Sequence, residues 1–289
     1  MTSEAISNGA GVEFADPGFR TVGRVGLRAV FAMPIRFRKI LLFGKSAVCL
    51  PLQKLLVRLL GGEFLVQTRF TDGPMRGRSF TCRSSEAYFM LGSHYESDAQ
   101  RVLMGILRPG DTVYDIGGHA GYMALFFSAS IGPTGRVFTF EPSPVNFPRV
   151  RHNVESNGPS NITAVNVAAS DHEGAALIDE RSSESAIVGT NDDPDRRFSR
   201  IQTMRLDDFA FRDGNPPPTF IKIDVEGHAG PALEGMKHIL EVARPRIICE
   251  LHNPGEEGHV TRILHSHRYD VTPIDRGHTF PRRVLILPA

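Results

Sequence analysis

From Asp111 onward the chain alternates short β-branched apolar runs with longer segments whose apolar residues recur at helical spacing. Strands are predicted over residues 112–116, 136–141, 162–168, 220–225, 246–251, 269–274 and 283–287. The connections among the first five are long enough for crossover helices, which parallel neighbours require. The expected fold is therefore α/β, a Rossmann-like, mostly parallel sheet covered on both faces. The last two runs are joined only by "DRGHTFP", which suits antiparallel neighbours, so the sheet should end in a hairpin. Ahead of the first strand, Val102, Leu103, Ile106 and Leu107 mark one helix, which Pro109 and Gly110 stop. Between the third and fourth strands a polar tract, Arg181 to Arg200, is flanked by a predicted strand pair, "AALIDE" and "IQTMRLDDF". A tract of that composition inside an α/β domain suits a lid or a disordered loop. "NPPP" at Asn215 to Pro218 then reads as a linker into the fourth strand.

A length of 289 residues suits one large domain with an appendage, here divided into an extension, 1–94, and a main domain, 95–289. A net charge of +1 gives no general reason for a nucleic-acid partner. Three cysteines without a CxxC pair fit a reducing compartment, and the first residues lack the basic-then-apolar pattern of an export signal, so a cytoplasmic location is expected. The apolar stretch near residue 50 is interrupted by Lys45, Pro51, Lys54 and Arg58 and is too broken to span a membrane. Residues 20–60 carry an excess of Arg and Lys on an apolar background. Such an arm either packs on the main domain or lies on a membrane surface.

In an open parallel sheet the ligand sits beyond the carboxyl ends of the strands, at the switch point of strand order. Acids or polar groups stand at the ends of the first five strands here. The first ends in "DIGGHAG", where Asp115 precedes a turn containing Gly117, His119 and Gly121. An acid beside the turn would repel a pyrophosphate, which a helix N-terminus otherwise holds. It suits a cofactor with a cationic end and no phosphate, and S-adenosylmethionine is such a molecule. Glu141, 20 residues past Gly121, is placed to accept from the two hydroxyls of a ribose. Ser170 and Asp171 fall where an adenine amino group would need an acceptor, although a turn cap explains them nearly as well.

The run "VYDIGGHAGY", "VFTFEPSP", "AASDHEG", "MRLDDF", "FIKIDVEGHA" and "IICELHN" resembles the FkbM-type S-adenosylmethionine-dependent methyltransferases, over roughly residues 95–274. The resemblance implies a class I methyltransferase fold with seven strands, the last antiparallel. It also implies methyl transfer to a hydroxyl of a sugar, glycolipid or secondary metabolite. The chain departs from the family pattern at His119, where Asn is usual, and at Ala229, where an acid is common.

Methyl transfer from a sulfonium is an in-line displacement, dominated by orientation. A protonated alcohol is a poor nucleophile, so a positioned base is expected. The candidates are Asp224, Glu226, His228 and His252, with His252 ahead of His228, which opens a helix. Asp224 is also a candidate cofactor contact. Asp224, Glu250 and Asn253 together offer hard oxygen ligands of the kind Mg²⁺ takes. Two other classes remain to be weighed. An NAD-dependent oxidoreductase would show GxGxxG instead of "GGHAG". A non-catalytic or membrane-associated binding module would retain the fold without turnover.

Overall fold

The computed structural model of the protein describes residues 65–70, 73–83, 86, 97–179, 187–188, 198–274 and 279–289. The arm 20–60 and most of the tract 181–200 lie outside these residues. The chain divides into two compact units, 1–97 and 98–289. The first contains an antiparallel hairpin, β1 (Leu65–Arg69) with β2 (Ser79–Arg83).

Helix α1 (Ser97–Ile106) starts at the boundary, and all but its first residue belong to the second unit. There follow β3 (Thr112–Ile116), α2 (Tyr122–Ile131), β4 (Arg136–Phe140), α3 (Phe147–Asn157) and β5 (Ile162–Val165). A side sheet is then built from β6 (Ala168–Ala169), β7 (Gly174–Asp179), β8 (Ile187–Val188) and β9 (Phe198–Met204). The chain returns through β10 (Phe220–Ile223), α4 (Ala229–Glu234), α5 (Lys237–Val242) and β11 (Arg246–Leu251). It closes with α6 (Pro254–Ser266), β12 (Tyr269–Pro273) and β13 (Arg282–Pro288).

The main sheet has seven strands in the order β12-β13-β11-β10-β3-β4-β5. The pairs among β11, β10, β3, β4 and β5 are parallel, and β13 runs antiparallel to both β11 and β12. This is the class I methyltransferase fold that the resemblance implies. The terminal hairpin forms as expected, with its second strand inserted between the first and the rest of the sheet.

The predicted third strand, 162–168, is cut short. At Asn166 the side-chain amide donates to the carbonyls of Glu141 (2.8 Å) and Pro142 (3.3 Å), and the chain leaves the main sheet. β6 then pairs with β9, and the expected pair is β7 antiparallel to β9. "LDDF" lies beyond β9: both Asp207 oxygens accept backbone amides at the start of α5, from His238 (3.0 Å) and Ile239 (2.9 Å). The linker reading of "NPPP" agrees with its place before β10, where the Tyr114 hydroxyl donates to the Pro216 carbonyl at 3.0 Å.

Side chains alternate across each strand, and this decides what lies under the site. Tyr114, Phe138 and Phe140 point to one face, where Phe209 meets all three rings edge-on at centroid distances of 5.1–5.7 Å. Asp115, Thr139 and Lys222 point to the other. They form one cross-strand row, because Lys222 pairs with Asp115 and Asp115 with Thr139 in register. On that face α2, apolar all round, is buried along most of its length.

Candidate active site

The chain runs outward from β3 to β4 and β5, then crosses back to β10 on the other side of β3. The switch point is therefore between β3 and β10, and their two ends touch. The Asp224 amide donates to the Ile116 carbonyl at 3.0 Å. Gly117, at φ +90°, packs on the Asp224 carbonyl so closely that a Cβ would lie inside 3.0 Å of it. The amides of Gly117 and Gly118 both donate to the Phe140 carbonyl at 3.0 Å, which binds the turn to β4 as well. His119 (φ +49°) and Gly121 (φ +84°) complete the left-handed path into α2.

Glu141, immediately after β4, is 5% exposed. One oxygen accepts the His119 amide at 2.7 Å and the other the Ser143 amide at 2.9 Å. Burial outweighs these bonds and lifts its pKa to about 7. A carboxylate has about four lone-pair sites, so two remain for the hydroxyls of a ribose. The residues thus fit the nucleoside end of S-adenosylmethionine at Glu141. His119 contributes its backbone N–H to this arrangement by way of an αL conformation, a role that the residue type did not disclose.

Asp115 is fully buried. It accepts from the Thr139 hydroxyl at 2.9 Å and lies 4.0 Å from Lys222 Nζ. Burial raises its pKa to about 6, against the pull of Lys222 and Thr139. Its burial follows from the strand alternation described above: residue 115 faces α2.

Lys222 also reaches Asp224, Nζ to Oδ2 at 3.1 Å. Burial disfavours the Asp224 carboxylate, but Lys222 and His252 more than compensate and hold its pKa well below the ordinary range. His252, just past β11, stands between two acids, with Nδ1 3.1 Å from Glu226 and Nε2 3.5 Å from Asp224. Burial opposes the imidazolium, yet contact with Asp224 and the charges of Glu226 and Glu250 raise its pKa to about 9. Glu226 arrives there because its backbone is left-handed, φ +46°, followed by Gly227 at φ +91°.

His228 does not join this group. Its Nε2 is 3.2 Å from Ser170 Oγ, and burial lowers its pKa. Ser170 is buried and donates to Asp171 Oδ1 at 3.1 Å, the same oxygen that His172 Nδ1 meets at 2.6 Å. The bond from His172 holds the Asp171 carboxyl below its usual range.

The oxygen set expected for Mg²⁺ is not assembled. Glu250 pairs with Arg283 at 2.8 Å, and Asn253 caps α6 by accepting the Glu256 amide at 2.9 Å. Two residues that the sequence analysis passed over are central: Lys222 and Glu256. A lysine inside "FIKI", a strand buried on both faces, is itself a signal, because its charge must find partners. Among the described residues no helix is long and apolar enough to cross a membrane.

Known proteins similar to this chain include methyltransferases. A curated relative, the hexuronic acid methyltransferase AglP of Haloferax volcanii, is 27% identical over 204 residues, covering 70% of this chain and 82% of that one. The crystal structure of methyltransferase FkbM from Methylobacillus flagellatus KT superposes with a TM-score of 0.47 at 19% identity, over 70% of this chain and 54% of that one. A SAM-dependent O-methyltransferase of Thermotoga maritima gives 0.45 at 14% identity, over 71% of this chain and 70% of that one. The methyltransferase FkbM domain matches residues 115–271, more than half of the chain, and the protein belongs to that methyltransferase family.

Proposed function

We propose that the protein is an S-adenosylmethionine-dependent O-methyltransferase whose acceptor is a hydroxyl of a sugar, a glycolipid or a secondary metabolite, with His252 as the base. When bound, S-adenosylmethionine supplies an electrophilic methyl group on a sulfonium. The observation that carries the reading is the His252 imidazole held by Asp224 and Glu226 beside the switch point. With its proton on Nδ1, donated to Glu226, neutral His252 presents Nε2 as a proton acceptor. Nε2 is shielded from solvent and makes no hydrogen bond of good geometry. An acceptor hydroxyl that reaches Nε2 would give its proton to that nitrogen, and Asp224 and Glu226 would stabilise the imidazolium formed. The relative named for a hexuronic acid favours a sugar among the acceptors.

The test uses S-adenosylmethionine with a tritiated methyl group and a panel of pyranosides, with and without a uronic carboxylate. Label should appear as an alkali-stable ether. Label recovered only as an alkali-labile ester would replace the hydroxyl with a carboxylate. The cofactor part is separable: titration calorimetry should show S-adenosylhomocysteine binding to the wild type and a loss of about 10–100-fold in Glu141→Ala. That corresponds to about 1.5–3 kcal/mol for hydrogen bonds to a charged group. Equal affinity of the two proteins would remove Glu141 from the cofactor site.

Side-chain atoms of Asp224, Glu226 and His252 lie within 4.8 Å of one another, which raises the question of a cation. Two positive groups, Lys222 and the His252 imidazolium, already face the two carboxylates. Turnover is therefore expected to survive EDTA. Activity that disappears on chelation and returns with Mg²⁺ would assign these side chains to an ion.

A further inference from the structure

We propose that Glu256 is a positioning residue for this reaction, a clamp that ties together the two loops carrying Asp224, Glu226 and His252. The proposal rests on the reading of His252 given above, but its geometry stands alone. Glu256 lies in the first turn of α6 and is 6% exposed. Its Oε2 accepts the backbone N–H of His252 at 2.7 Å, and its Oε1 accepts that of Ala229 at 2.9 Å. These two amides belong to different loops. His252 directly follows β11, whereas Ala229 opens α4, at the far end of the loop that starts with Asp224.

The His252 side chain already touches Asp224 and Glu226 across the two loops, and Glu256 adds backbone bonds to both. The β10 loop turns through two successive left-handed residues, Glu226 and Gly227, and has left the ladder of β10. The first amides of a helix lack partners within it, and the His228 side chain makes no capping bond to α4. A carboxylate accepting from both loops supplies charge-assisted bonds where water is nearly excluded. The clamp is itself held, because Asn253 Oδ1 accepts the Glu256 amide at 2.9 Å. Removing the carboxylate leaves two backbone donors without acceptors and frees the loops to separate. The distances from His252 to Glu226 and Asp224 are the ones that would lengthen.

The groups facing the imidazole are Asp224, Glu226 and Glu250, with Lys222 beyond Asp224. A histidine titration followed by NMR therefore reads the clamp without needing an acceptor. The full-length chain, saturated with S-adenosylhomocysteine, is compared with Glu256→Ala and Glu256→Gln, and His252→Asn identifies the resonance. In the wild type His252 should titrate near pH 9. In Glu256→Ala the midpoint should fall toward about 6.5, the value of a free imidazole. Glu256→Gln keeps one acceptor oxygen and should fall between.

An unmoved midpoint in folded Glu256→Ala overturns the proposal. Should that variant not fold, an unmoved midpoint in Glu256→Gln overturns it equally. A wild-type midpoint already near 6.5 does so as well, because the imidazole would not then be held by its acids. Turnover separates the two claims: a fully active His252→Asn defeats the base while leaving the clamp to the titration. An inactive His252→Asn combined with unmoved midpoints defeats the clamp alone.

Discussion

Gly117→Ala is expected to abolish S-adenosylhomocysteine binding and to destabilise the main unit by several kcal/mol. Two independent costs add. An alanine at φ +90° is in a region nearly reserved for glycine, a strain of about 1–3 kcal/mol. Its methyl would also strike the Asp224 carbonyl, which is backbone and cannot rotate away. Overpacking of that kind costs about 1–3 kcal/mol more. Together they are a large share of the roughly 5–15 kcal/mol that holds a domain folded. Because the clash lies between the ends of β3 and β10, relief would come from parting the strands at the switch point. Gly158 supplies the control. It has φ +60° at the end of α3, and an added methyl would meet nothing within 4 Å, so Gly158→Ala should cost only about 1 kcal/mol. Thermal melts of the two variants, with calorimetry, check the claim; equal melting temperatures would refute the close approach at Gly117.

His252→Asn should lower kcat by about 10²- to 10⁴-fold while leaving S-adenosylhomocysteine affinity intact. The pH profile carries the sign. His252 is raised to about 9, so at neutral pH it is mostly imidazolium and cannot accept a proton. Activity of the wild type should therefore climb about tenfold per pH unit and level off near pH 9. The variant should lose that limb. The linked effect on stability runs the other way. The imidazolium's contacts with Asp224 and Glu226 are fully present below the unfolded value of about 6.5 and are lost as pH rises through 9. A protein that gains activity and loses stability over the same interval would satisfy both expectations. A flat activity profile from pH 6 to 10 would exclude His252 as the base.

The strands are legible in the sequence because buried parallel strands are dense in β-branched and aromatic residues, and their ends are legible because acids and glycines interrupt that density. What escapes is set by backbone torsions and by sidedness. Asp115 is recognisable as an acid at a strand end, but alternation turns it toward Lys222. Glu250 and Asn253 lie close in sequence to His252, yet Glu226 is its neighbour in space because of a left-handed residue that composition does not reveal. The end of β5 falls short of its expected place because Asn166 sits in an apolar run, and its bonds to Glu141 and Pro142 are long-range. Position 229 carries no acid, and its backbone amide donates to Glu256, 27 residues later on another helix.

The row Thr139, Asp115 and Lys222, continued by Asp224, also bears on how such a sequence can drift. Asp115 and Lys222 are buried beside each other, and Lys222 also meets the half-buried Asp224. Exchanging Lys222 for an apolar residue leaves the buried Asp115 without its cation, whereas exchanging Asp115 alone leaves Lys222 paired with Asp224. Loss of Asp115 can therefore come first, and loss of Lys222 only with or after it. In a collection of descendants of this chain they should covary, although 107 residues separate them.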